Sequence, residues 1–339
     1  MNPDWQTFLL SCGARLDADQ REVNDFGLPD EELQASSTTI LVPLAQLGLI
    51  ACDGDDARSF LHNQLTSDIN HLGENAAQHS AWCTAKGRML ASFVVWRQGD
   101  GYRLALAAEL AEPIGKRFQM YVLRSKVTVA NLCDRFVLLG LAGPDAERAL
   151  AAAGLPAPAT PMTTATVAAT QVIRLDAQRF LIACPVEIAV SLWPALSAHA
   201  RPAGIPVWRW LDVEAALPVI SAATREEFVP QMADFEQIGG VSFHKGCYPG
   251  QEVVARTQYL GKIKRHLFRL QSQVPLAAGD DLLSPENPDQ TIGKVVSAAP
   301  APQGGFAGLA VIQSNFAENL RLKTLDGPSL SATAVNPHA

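Results

Sequence analysis

One short pattern occurs twice in the chain, and it constrains the fold more than any other feature. After the apolar run LGLIAC (residues 47–52) the sequence reads G-x-D-A-x-x-x-L from Gly54 to Leu61; after FVLLGLA (136–142) it reads the same from Gly143 to Leu150. In both places an apolar strand leads through a glycine turn into a helix whose apolar residues share one face. Phe60, Leu61 and Leu65 fall at helical spacing, and Asp55 is placed to cap the first helix. The recurrence predicts a duplicated α+β unit.

The rest of the chain fits around these two copies. SAWCTAKGRMLASFVVWRQG and YRLALAAE alternate as antiparallel strands do, and the helix PIGKRFQMYVLRSK follows them. The second copy is followed by LPAPATPMTTATVAAT, a loop by its Ala, Pro and Thr content. Two strands in TQVIRLDAQRFLIAC then precede a helix with Val190, Leu192, Trp193 and Leu196 on its apolar face. From about Arg265 the texture changes to short strands between Gly, Pro and Asp clusters, which predicts a small β-barrel or sandwich. Residues 1–37 are polar and acidic and read as a surface-draped extension. With 339 residues there is room for about two domains, or three if one is small. The expected division is 1–37, 38–135, 136–262 and 263–339.

Charge and cysteine usage exclude several functions. A net charge of −7 argues against a surface built wholly to hold nucleic acid or anionic membrane. The six cysteines (Cys12, Cys52, Cys83, Cys133, Cys184 and Cys247) include no CxxC, and the seven histidines form no HExxH. A disulfide scaffold, tetrahedral zinc and a four-cysteine cluster are therefore not expected, nor is a stable metal in the isolated chain. Asp4 stands where a secretory signal carries positive charge, and no stretch approaches the ~20 apolar residues of a membrane span. The expected location is cytoplasmic and thiol-reducing.

Chemistry concentrates in VSFHKGCYPGQEVVARTQYLGKIKRHLFRL, residues 241–270. Gly246 and the Pro249–Gly250 pair make a tight loop, which puts Cys247 on a turn. Lys245 stands two residues before the thiol, and Arg256 could approach once the chain folds back. A nearby cation favours thiolate, so Cys247 is the cysteine expected to be reactive or to ligate a soft metal. The other five are expected to be small buried hydrophobes.

The octapeptide KGCYPGQE, residues 245–252, resembles the K-G-C-[FY]-x-G-Q-E signature of the YgfZ family, folate-binding relatives of the glycine cleavage T-protein, an aminomethyltransferase. DGDDARSFLHNQLTSD, TAKGRMLASFVVWR and LDVEAALP extend the resemblance over about residues 40–325. It implies an α+β fold of two ferredoxin-like domains and a C-terminal β-barrel, arranged as a ring around a folate pocket. It also implies roles for Lys245, Gly246, Tyr248, Gly250, Gln251 and Glu252 beside Cys247. Glu214 aligns with the glutamate that grips the pteridine in T-proteins. Gln64, Thr66, Arg88 and Trp210 are further folate candidates, although Trp208 and Trp210 also suit simple packing and the Asn63–Asp68 stretch suits a plain turn.

T-proteins carry an acidic residue in the central strand where this chain has Ala91 and Ser92, and neither can act as a general acid or base. The resemblance thus implies a tetrahydrofolate-binding protein, taking folate or a one-carbon derivative, that assists iron–sulfur cluster assembly or repair. Its expected partners are client enzymes or assembly proteins, with an indirect link to tRNA modification. Aminomethyl transfer and a non-catalytic RNA- or protein-binding adaptor are the rival readings. Two basic runs bear on the last: Arg256, Lys262, Lys264, Arg265 and Arg269, and Lys116, Arg117, Arg124 and Lys126. Either could be a solvated face, or could meet a folate glutamate tail or an acidic partner.

Overall fold

The computed structural model describes residues 1–259, 261 and 263–336. Lys262, counted in the first basic run, lies outside the described residues. The chain divides into two compact units. The first contains Met1–Ala57, Leu72–Gln78 and Val94–Trp208; the second contains Arg58–His71, His79–Phe93 and the chain from Arg209 onward.

The N-terminal segment is docked, not draped. Helix α1 (Pro3–Ser11) takes Pro at its first position, and the Asn2 side chain accepts from the Asp4 and Trp5 amides. Trp5 and Leu9 are buried, and Trp5 meets Trp193 edge-on at 5.7 Å. Gly13 and Ala14 close the helix by donating to Leu10 and Leu9, with Gly13 at φ +92. The strands β1 (Arg15–Leu16) and β2 (Val23–Asp25) and helix α2 (Pro29–Gln34) follow. Glu32, on α2, is buried because its carboxylate accepts from the Phe26, Leu28 and Gly204 amides. Polar composition concealed this, since the acid is satisfied internally.

The repeat is visible in the backbone. Strands β3 (Ile40–Pro43) and β4 (Leu47–Asp53), helix α3 (Ala57–Gln64), strands β5 (Ala77–Cys83), β6 (Met89–Gln98) and β7 (Gly101–Ala107), helix α4 (Ala108–Val122) and strand β8 (Thr128–Asn131) come first. Strand β9 (Phe136–Ala142), helix α5 (Ala146–Ala152), strands β10 (Thr163–Val167), β11 (Thr170–Arg174) and β12 (Arg179–Pro185), helix α6 (Val186–Ser197) and strand β13 (Arg201–Pro202) answer them. One sheet has the order β5-β6-β7-β4-β8 and the other β10-β11-β12-β9-β3-β13. Gly54 and Gly143 both sit at φ +124. A Cβ there would lie 2.2 Å from the Lys126 carbonyl oxygen or 2.3 Å from that of Thr38, so only glycine fits either turn. Ala57 and Leu61, like Ala146 and Leu150, are buried one helical turn apart. Asp55, expected as a helix cap, instead pairs with Lys126 at 3.3 Å.

The copies exchange their leading strands. β3 precedes β4 in sequence but pairs with β9, and β8 precedes β9 but pairs with β4. The loops repeat the exchange: the Leu44 amide donates to Leu138, and the Leu132 amide to Leu49, each at 2.8 Å. A boundary drawn at 135/136 separates the repeats in sequence but not their sheets.

Helix α7 (Ile205–Glu214) leads from the first unit into the second, and α8 (Gln251–Tyr259) follows the signature loop. Strands β14 (Arg265–Ser272), β15 (Asp281–Leu283), β16 (Gly293–Pro300), β17 (Phe306–Gln313), β18 (Leu320–Leu322) and β19 (Ser329–Ala334) close as a six-stranded barrel in the order β14-β17-β16-β15-β18-β19. Closure removes the free edges that such short strands would otherwise expose. Leu270, Leu282, Ile292, Val295, Ala310 and Ile312 fill a core in this module. Among the described residues no helix is long and apolar enough to cross a membrane.

Candidate functional site

The signature loop lies wholly within the second unit, where it is fixed from beneath. Lys245 is buried, and its ammonium donates to the carbonyls of His62 and Leu65, the latter at 2.5 Å. These carbonyls belong to the end of α3, where the helix leaves acceptors unpaired and its dipole favours a cation. The ammonium also stands 5.0 Å from the centre of the buried Tyr248 ring. Burial pushes the Lys245 pKa down to about 8, against opposing attraction from Asp68 and Cys247.

A second clamp is steric. Gly250 has φ +80, and a Cβ there would lie 2.3 Å from the Thr84 carbonyl oxygen and 2.7 Å from Gly87. The TAKG turn and the KGCYPGQE loop therefore meet backbone to backbone. Beyond Gly250 the chain enters α8, where buried Val254 packs inward and the Gln231 side chain donates to its carbonyl at 2.7 Å. Between these clamps Cys247 is exposed. Gly246, beside it, is also exposed and faces His62 Nε2. Gln251 reaches back to the Lys245 carbonyl at 3.5 Å, and Glu252 is exposed on the first turn of α8.

The expected cations do not reach the sulfur. Lys245 spends its donors on α3 and acts on Cys247 only through space. Arg256 is exposed on α8, and among the described residues no hydrogen bond or ion pair joins it to Cys247. The run after it is also partly spent on carbonyls. Arg265 donates to Thr291, and Arg269 holds those of Val213 and Glu214 at the end of α7.

The remaining thiols separate by burial. Cys52, Cys83 and Cys184 are buried, and burial pushes the first and last up to about 12. Cys133 is half-buried. Cys12, expected in the core, is exposed because α1 ends before its packed face reaches that position.

The folate candidates divide similarly. Glu214 is exposed at the end of α7, Trp210 is half-buried against the core of the second unit, and Gln64 has a buried Oε1 with no hydrogen-bond partner among the described residues. Thr66 is fully buried, and its hydroxyl donates to Gly240 at 2.6 Å while accepting from the Ala81 amide. Arg88 donates to the Glu226 and Glu227 carbonyls. Those two hold loops in place. Trp208 is core packing: its ring fills the space over Gly140 that a Cβ would occupy. Ala91 is fully buried, and the Ser92 hydroxyl accepts from the Ile220 amide at 2.9 Å.

Sequence reasoning missed His62, whose Nδ1 stands 3.3 Å from Asp68 and whose carbonyl receives Lys245. It also missed the buried Asp234, 3.1 Å from His266. No local pattern marks either, because the partners come from distant segments. Among the described residues no group of three or more His, Cys, Asp or Glu is placed to hold a metal ion.

The comparisons agree with this architecture. A model of the GCVT N-terminal domain matches residues 22–239, stopping short of the signature loop. The tRNA-modifying protein YgfZ of Klebsiella pneumoniae is 37% identical over 249 residues, covering 71% of this chain and 75% of the relative. Those of Cronobacter sakazakii and Yersinia pseudotuberculosis are each 34% identical, covering 81% and 88% of this chain and 85% and 91% of their own. The crystal structure of glycine cleavage system aminomethyltransferase T from Bartonella henselae shares the fold, with a TM-score of 0.81 at 21% identity, over 97% of this chain and 95% of that one. The chain therefore belongs to the GCVT N-terminal domain family and, within it, to the YgfZ family of tRNA-modifying proteins.

Proposed function

We propose that this chain binds tetrahydrofolate, or a one-carbon derivative of it, and assists assembly or repair of iron–sulfur clusters in a subset of cytoplasmic enzymes, including enzymes that modify tRNA. The observation that carries the reading is the exposed Cys247 on a loop clamped by a buried lysine and by glycine-to-backbone contact. Such a loop presents its thiol in a fixed place without burying it, as a thiol that meets a partner's cluster requires. One cysteine cannot hold a cluster alone, so the remaining ligands come from the client or from a small thiol.

The donor set fits folate. A pteridine edge pairs with a carboxylate and an amide and stacks on an aromatic face, and Glu214, Gln64 and Trp210 are side chains of these types. Gln64 adds an unpartnered buried oxygen, the kind of atom a ligand donor would satisfy. Bound tetrahydrofolate would supply the nitrogens that carry one-carbon units; the protein's part is to grip and orient the ring. Aminomethyl transfer has no support at positions 91 and 92, where one side chain is apolar and the other is already engaged.

Calorimetric titration of tetrahydrofolate into the full chain tests the ligand. We expect saturable binding, undiminished in Cys247→Ser and at least about tenfold weaker in Glu214→Ala. No heat and no thermal shift in the parent protein would remove folate from the account.

A further inference from the structure

The second basic run, which the proposed site leaves unused, brackets an apolar tip in the sequence. α4 is seated by buried Leu110, Ala111, Ile114 and Phe118, yet its last turn exposes Met120 (67%) and Tyr121 (44%), with Leu123 just beyond at 87%. Leu123 is the most exposed large apolar side chain among the described residues. Its backbone makes the exposure more telling. The Ser125 amide donates to the Val122 carbonyl at 2.8 Å, and Leu123 has φ +47 and ψ −104, the first central position of a type II′ turn, where glycine belongs. A large side chain is held in a strained conformation and recovers nothing by burial within the chain. Strained residues of this kind cluster at functional sites.

Charge says what covers the tip. Lys116, Arg117, Arg124 and Lys126 flank it along the chain, and no acidic residue occurs from Pro113 to Cys133. Lys116 pairs with Glu112, and Lys126 with Asp55, but these are exposed pairs of small worth that leave both cations on the rim.

We propose that this tip docks a partner protein through an apolar groove edged by carboxylates, with Leu123 and Met120 as the inserted anchors and Arg124 and its neighbours facing the acidic rim. RNA is the poorer occupant. Neither anchor offers a ring to stack on a base, and the chain as a whole carries −7.

The test uses the full chain and a labelled amphipathic peptide of about 16 residues, with leucines at helical spacing between glutamates, beside a counterpart with every glutamate changed to lysine. Fluorescence anisotropy should show the glutamate peptide binding at least about tenfold tighter than the lysine peptide, and weakening by about tenfold in Leu123→Asp and in Arg124→Glu. Leu123→Gly, which suits the turn, should melt no lower than the parent and still lose the peptide. Equal binding of the two peptides, no saturation by millimolar peptide, or full binding by both charged variants would overturn the proposal. So would displacement of the peptide by single-stranded oligouridine, or self-association of the chain abolished by Leu123→Asp, which would assign the tip to RNA or to a second copy.

Discussion

Lys245 carries two duties that the sequence presents as one. Adjacency to Cys247 suggests a cation for the thiol; the fold turns the ammonium inward to close α3. The burial has a measurable consequence. In the folded protein Lys245 titrates at about 8, whereas in the unfolded chain it holds its proton to about 10.4. Between these values the unfolded chain binds more protons, so this group's contribution to stability rises with pH over that window and is flat below it. Urea unfolding of the parent and Lys245→Met at pH 7 and pH 10 should show the difference moving in favour of the parent at the higher pH. A difference independent of pH would contradict the buried ammonium. The exposure of Cys247 was legible because glycine and proline mark its loop. Cys12 was not, because its exposure depends on where α1 stops. Thr66 and Arg88 were read as ligand contacts, but their polar groups are engaged by carbonyls far along the chain, which no local pattern reports.

At the scale of elements, G-x-D-A-x-x-x-L is a strand–turn–helix joint whose glycine admits a neighbouring carbonyl. The joint could be read in sequence because the turn, the buried Ala and the buried Leu are local. The exchange of β3 and β8 could not, since strand pairing depends on which segments meet after folding. Ile40, Leu41 and Val42 of β3 are fully buried and pair with β9, so a fragment cut at 135/136 leaves this apolar strand without its partner. Residues 1–135 and 136–339 expressed separately should each aggregate, and expressed together should co-purify as one folded complex by size-exclusion chromatography. A soluble, folded, monomeric 1–135 fragment would contradict the exchanged pairing. The N-terminal segment teaches the same lesson: Glu32 reads as a surface acid until its three amide partners are known.

At the scale of the whole molecule, the duplicated α+β repeat and the closed barrel were both foreshadowed by periodicity and texture, and the YgfZ relatives span most of the chain. The octapeptide carries the functional reading, and its central claim is that the exposed thiol, not the fold alone, supports clients that modify tRNA. The measurement that bears on it most directly is the level of methylthiolated tRNA nucleosides, by mass spectrometry, in cells lacking the native gene and carrying either the parent chain or Cys247→Ser. With equal protein levels and equal tetrahydrofolate affinity in the two proteins, the account predicts restored modification with the parent and at least about a fivefold deficit with Cys247→Ser, the scale of losing about 1 kcal/mol of an essential interaction. Full restoration by Cys247→Ser would contradict it.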